Sequence, residues 1–130
     1  MCGILAFFTP DHDRVIEPDW VEQATNLMTH RGPDGLGVHV DRHIGLGHRR
    51  LSIIDLAAGQ QPVFNEDRSL ALVYNGEIYN YQETRQLLIA KGHRFRSNCD
   101  TEVIVHAYEE WDHAACAVGA AGPAHREFRR

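Results

Sequence analysis

The chain has 130 residues, 43% hydrophobic and 24% charged, a composition suited to one globular domain with a single core. Its formal net charge of −5, with nine histidines counted as neutral, offers no electrostatic footprint for nucleic acid or for an anionic membrane surface. The opening apolar run is too short to span a bilayer, no basic residue precedes it as in a secretory signal, and Gly3 lies one place too late to accept a myristoyl group, so a cytoplasmic protein is expected.

Cys2 follows the initiator methionine, and a residue this small permits removal of Met1. The result is a thiol on the same residue as a free α-amino group. Such an amino group titrates close to neutral pH, so it can take the thiol proton and later return it. Leu5 to Phe8 reads as a buried strand behind this end. Taken alone, Cys2 has an ordinary reading too, as a small buried residue. Thr9 to Glu17 is a polar loop, and Pro18 opens a segment in which Val21, Ala24, Leu27 and Met28 recur at helical spacing, predicting a helix over 18–30. Arg31 to Gly35 is a turn cluster. Two runs at 36–40 and 43–51, parted by Asp41 and Arg42, suit a β-hairpin. Ser52 to Phe64 reads as a long connection, and 69–75 as a further strand.

Asn80 with Glu83 three places on marks a helix start, and Gly92 a stop, giving a second helix over 81–91. A short strand near 93–96 leads to Asp100. From there Val103, Ile104, Ala107, Tyr108 and Trp111 form one face of a third helix. Asp112 to Arg130 is rich in alanine and glycine, shows no clear periodicity, and is expected to lie outside the core. Cys2, Cys99 and Cys116 are too widely spaced for a disulfide framework or a Cys-x-x-Cys metal site, and Cys99 and Cys116 read as inert thiols. His39, His43 and His48 invite a metal hypothesis, but no cysteine or acid completes a tetrahedral set, so no metal is expected.

Five blocks stand out together: Met1-Cys2-Gly3-Ile4, Arg31-Gly32-Pro33-Asp34, Gly47-His48-Arg49-Arg50-Leu51-Ser52-Ile53, Tyr74-Asn75-Gly76-Glu77-Ile78-Tyr79-Asn80 and Cys99-Asp100-Thr101-Glu102. In this order they resemble the class II glutamine amidotransferases, which are N-terminal-nucleophile hydrolases, and most of all the glutaminase domain of glutamine-dependent asparagine synthetases. The resemblance covers Met1 to about Trp111. It implies an α+β fold, the four-layer α/β/β/α sandwich of that hydrolase class, incomplete here at its C-terminal end. Residues 1–111 would be the N-terminal part of the glutaminase domain and 112–130 an atypical tail.

The resemblance also implies roles. Cys2 would attack the side-chain amide of L-glutamine, forming a γ-glutamyl thioester and releasing ammonia. Asn75 and Gly76 would stabilise the oxyanion; their own reading as residues is a tight hairpin turn. Arg50 would clamp the α-carboxylate with its planar fork. Leu51, Ser52, Ile53, Ile54 and Glu77 would line the pocket through main-chain groups. Asp100 would receive the α-ammonium group; its own reading is the N-cap of the third helix. Arg49 reads as a solvated charge on an alternating strand, and Arg31 to Asp34 as a turn that shapes the pocket.

No cofactor is implied for the glutaminase step. ATP and magnesium belong to the synthetase domain, which consumes the ammonia and has no counterpart in this chain. An unfinished sheet leaves an edge open to self-association, so a homo-oligomer is an expectation. Two other readings arise from the missing scaffold and from the thiols and histidines: an inactive remnant or interaction module of the same family, and a small metal- or thiol-binding protein.

Overall fold

The computed structural model describes residues 1–11, 13–51 and 59–115. They form a mixed α+β structure in two compact units, the first made of residues 1–63 and 72–75, the second of 64–71 and 76 onward. No helix among the described residues is long and apolar enough to cross a membrane.

The first unit is built on three strands, β1 (Gly3–Phe8), β2 (Gly35–Asp41) and β3 (Ile44–Arg50). They form an antiparallel sheet in the order β1-β3-β2. The predicted hairpin is β2 and β3, in the register Asp41↔Ile44 to Gly35↔Arg50. The first strand adds to the far side of β3, running from Gly3↔Arg49 to Phe8↔Ile44.

Helix α1 (Pro18–Asn26) packs on this sheet through Val21 and Thr25, both fully buried. Opposite them β3 carries Gly45 and Gly47. A Cβ on Gly47 would lie 1.9 Å from Thr25 Oγ1, so only glycine permits this approach. The helix stops earlier than the predicted 30. The Thr29 hydroxyl donates to the Asn26 carbonyl at 2.6 Å, using the acceptor that the next helical turn would need. Turns then carry the chain to Gly32, where a Cβ would lie 2.3 Å from the Arg49 carbonyl oxygen.

The predicted strand over 69–75 is much shorter. Only Ala71–Leu72 (β5) is extended, paired with Val63–Phe64 (β4), which lies inside the expected connection. Side chains take the place of a longer ladder. Ser69 N–H donates to Asp67 Oδ1, Leu70 N–H to Asn65 Oδ1, and Tyr74 N–H to Gln61 Oε1.

In the second unit, α2 (Tyr81–Ala90) and α3 (Glu102–Trp111) share a core of Leu88, Val103 and Ala107, flanked by Tyr81, Phe95, Trp111 and Ala115. Asn80 precedes α2 but makes no side-chain cap bond. Gly92 follows it with φ +105, and His93 N–H closes back onto the Leu88 carbonyl, the left-handed stop expected of a glycine there. Residues 93–96 form no strand. Two of their amides and the one that follows go to carboxylates instead: Arg94 N–H to Glu66 Oε1, Arg96 N–H to Glu102 Oε1 and Ser97 N–H to Glu102 Oε2.

The buried face of α3 is also rotated from the predicted one, with Glu102 and His106 inside and Tyr108 at 39% exposure. Burial alone would raise the Glu102 carboxyl. The Ser97 hydroxyl and the Arg96 and Ser97 amides outweigh it and hold the group below its ordinary value. A one-turn 3₁₀ segment at Asp112–Ala114 continues from α3.

Candidate active site

The thiol of Cys2 sits at the open end of β1, directly against β3. Leu51 N–H donates to Cys2 Sγ at 3.4 Å, and the thiol faces the Leu51 carbonyl oxygen at 3.9 Å. The sulfur is thus fixed by main-chain atoms of a residue 49 positions away. Continuing the register of Gly3↔Arg49 by one pair sets Cys2 opposite Arg50. Cys2, Arg50 and Leu51 are each half-buried, so they stay in reach of a small molecule. Met1 is 76% exposed.

Arg49 contradicts its reading as a solvated charge. It is only 8% exposed, and its guanidinium spans the turn after α1: Nε donates to the Gly32 carbonyl at 2.9 Å, one terminal nitrogen to Asn26 Oδ1 at 3.3 Å and the other to the Pro33 carbonyl at 3.4 Å. Asp34 N–H completes the clamp on the Arg50 carbonyl at 2.9 Å. A charge is tolerated here because the turn presents carbonyls that no helix or strand uses. The Arg31 to Asp34 block is therefore a turn riveted to the strand that carries Arg50.

His48, also on β3, is 2% exposed. Burial lowers its pKa below the ordinary 6.5 and the neighbouring Arg50 charge lowers it further, while a hydrogen bond to the Tyr74 main chain opposes both. The same bond, with those of Gln61 to Tyr74 N–H and C=O, anchors the residue before Asn75 to the first unit. Asn75 is exposed. Neither Asn75 nor Gly76 has a positive φ, β5 precedes them and α2 comes after. This is an open bend and not the tight hairpin that Asn-Gly suggests, since that turn needs positive φ at both residues.

In the second unit Gly76 and Glu77 are exposed, and Asp100 is half-buried. The Asp100 carboxylate does not cap α3. Its Oδ2 accepts Ile78 N–H at 2.9 Å, and Oδ1 lies near the Cys99 thiol at 3.4 Å and the Thr101 hydroxyl at 3.3 Å. It thereby holds the segment that contains Gly76 and Glu77. Ser52, Ile53, Ile54 and Cys116 lie outside the described residues.

The profile of a family described as a glutamine amidotransferase domain matches residues 1–122. The chain belongs to the glutamine amidotransferase domain family. Among relatives of this glutamine amidotransferase domain, an asparagine synthetase (glutamine-hydrolyzing) of Triphysaria versicolor is 45% identical over 111 residues, covering 85% of this chain and 19% of the relative. Asparagine synthetase (glutamine-hydrolyzing) 1 of Arabidopsis thaliana is 44% identical over 111 residues, with the same shares. The corresponding protein of Bacillus subtilis (strain 168) is 40% identical over 119 residues, covering 90% of this chain and 19% of the relative. The chain thus spans about a fifth of the length of the curated relatives it matches.

Reading this amidotransferase domain from residue types alone misses Arg49 and His48. The one signal for them is the pair Gly45 and Gly47 just upstream, because glycines on one strand face announce a close neighbour and hence burial of the adjoining residues on that strand.

Proposed function

We propose that this chain is the glutamine-hydrolysing part of an asparagine-synthetase-like amidotransferase, with Cys2 as the nucleophile. The observation that carries the reading is the Cys2 sulfur held on the Leu51 amide at 3.4 Å, beside the strand that presents Arg50. A nucleophile fixed by main chain on a strand end needs no reorganisation before it attacks.

In the proposed reaction Met1 has been removed. The Cys2 α-amino group takes the thiol proton as sulfur bonds to the amide carbon of L-glutamine. The resulting oxyanion receives the Asn75 side-chain amide and the Gly76 N–H. As the C–N bond breaks, the proton held on the α-amino group passes to the departing nitrogen and ammonia leaves. Water, deprotonated by the same amine, cleaves the γ-glutamyl thioester and frees glutamate. Arg50 binds the substrate α-carboxylate, Asp100 its α-ammonium group, and main-chain groups of Leu51 to Ile54 and Glu77 line the pocket.

The step needs no cofactor; ATP and magnesium would serve a synthetase domain that uses the ammonia. In this reading residues 1–111 are the glutaminase portion, built as part of a four-layer α/β/β/α sandwich. The protein works in the cytoplasm.

The test is glutamate release from glutamine by the purified chain and by Cys2→Ala, with the intact mass recorded for both. Loss of one methionine and Cys2-dependent release are expected. If Met1 is gone and release is absent or independent of Cys2, the reading of Cys2 as the nucleophile of a glutaminase fails.

A further inference from the structure

Outside the proposed glutaminase site, the second unit gathers four side chains from three separate segments. They are Glu66 from the turn after β4, His93 just past the Gly92 stop of α2, and His106 and Glu109 from α3. One donor atom from each lies within 4.8 Å of the other three. We propose that Glu66, His93, His106 and Glu109 bind a divalent cation of the zinc class.

His106 is the strongest witness. It is 1% exposed, and neither ring nitrogen has a hydrogen-bond partner, nor has the buried Oε2 of Glu66 beside it. Yet His106 Nδ1 and Glu66 Oε2 are only 3.2 Å apart. They are close enough to bond but aimed wrongly for a shared proton. Two ligands about 2.0–2.1 Å from one tetrahedral ion lie about 3.3 Å from each other. Two of the separations found lie near that value: 3.2 Å for His106 Nδ1 to Glu66 Oε2 and 3.8 Å for His93 Nδ1 to Glu109 Oε2. Glu66 is pre-set for the task, since Oε1 is tied to the Arg94 amide at 2.7 Å while Oε2 faces the cluster.

The outer contacts obey the same logic. A metal-bound imidazole usually has a carboxylate behind its other nitrogen, which fixes the tautomer and turns the ring. Both histidines have one. Behind His106 Nε2 stands Glu102 Oε1 at 3.5 Å, itself held by the Arg96 and Ser97 amides. Behind His93 Nε2 stands Glu110 Oε2 at 3.6 Å, whose other oxygen is held by Lys91 Nζ at 2.6 Å. The Phe95 ring, 4.4 Å from that of His106, shields one side. Two imidazoles and two carboxylates suit zinc, whereas calcium and magnesium prefer all-oxygen sites. Two carboxylates also neutralise the ion's charge. The site would tie the residue 64–71 segment to α3.

The test uses the full chain carrying Cys2→Ala, so that the amino-terminal thiol cannot chelate. After treatment with a chelator, zinc is titrated by calorimetry, and cobalt is added to read the visible absorption of a tetrahedral ion. One zinc per chain, a tetrahedral cobalt spectrum and no competition by magnesium are expected. Glu66→Gln and His93→Asn should each weaken zinc by at least the roughly 10- to 100-fold typical of disturbing a metal shell. Glu109→Gln, at an exposed helix position that leaves the core intact, should also weaken it and reduce the zinc-induced rise in Tm. Absence of zinc binding by the parent, or binding unchanged in all three variants, would overturn the site and leave the cluster as histidines packed among carboxylates.

Discussion

Replacing Arg49 by methionine isolates what a buried guanidinium does for this fold, since the side chain keeps most of its length and loses its donors. The 2.9 Å bond from charged Nε to the Gly32 carbonyl contributes about 1.5–3 kcal/mol, because Gly32 is buried and its carbonyl has little access to water. The contacts at 3.3 and 3.4 Å to Asn26 and Pro33 are long and add about 0.5 kcal/mol each. Arg49→Met should therefore cost about 2.5–4 kcal/mol, a large part of the roughly 5–15 kcal/mol that holds a domain together. In a chain of this size that lowers Tm by about 10–16 °C. Arg49→Lys keeps the charge but at most one of the three donors, and should fall between the two. Urea unfolding monitored by circular dichroism gives the magnitude, and hydrogen exchange over residues 27–34 locates it. A loss under about 1 kcal/mol, or unchanged exchange in that turn, would refute the clamp and return Arg49 to the status of a surface charge.

The same contacts set other expectations. Gly47→Ala drives a methyl into Thr25 Oγ1 and should cost about 1–3 kcal/mol, part of it recovered when Thr25→Ala is added; strictly additive losses in denaturant titrations would argue against this contact. Because the folded chain holds His48 neutral below its ordinary 6.5, the unfolded chain takes up that proton first, and stability falls as pH drops from 6.5 through the lowered folded value. His48→Gln should flatten that part of the Tm profile and leave the decline below 4.5, where Glu66, Glu102 and Glu110 take up protons; an unchanged slope above about 5 would dismiss the assignment. If the wild-type chain releases glutamate, Asn75→Ala should slow it by about 10²- to 10³-fold in kcat with a smaller change in KM, and equal rates would remove Asn75 from the oxyanion role.

Much of this protein is written locally. The apolar run at Leu5 to Phe8, the spacing of Val21 in α1, the stop at Gly92 and the amphipathic stretch ending at Trp111 each specify an element through neighbours a few residues away. For that reason β1, the β2-β3 hairpin, α1, α2 and α3 are legible in the order of residues. The Cys2, Arg50, Asn75 and Asp100 blocks are legible as a family pattern for the same reason, being short words in a fixed order. What tertiary structure alone decided are the long-range hydrogen bonds. Pairing β1 with β3 sets Leu51 on the Cys2 sulfur, the Gly32 turn draws Arg49 inward, and Glu66 and Glu102 take amides that periodicity assigned to strands. A polar side chain reads as surface until something far along the chain supplies its partner, so burial of Arg49, His48, Glu102 and His106 is a property of the fold and not of their neighbours in sequence.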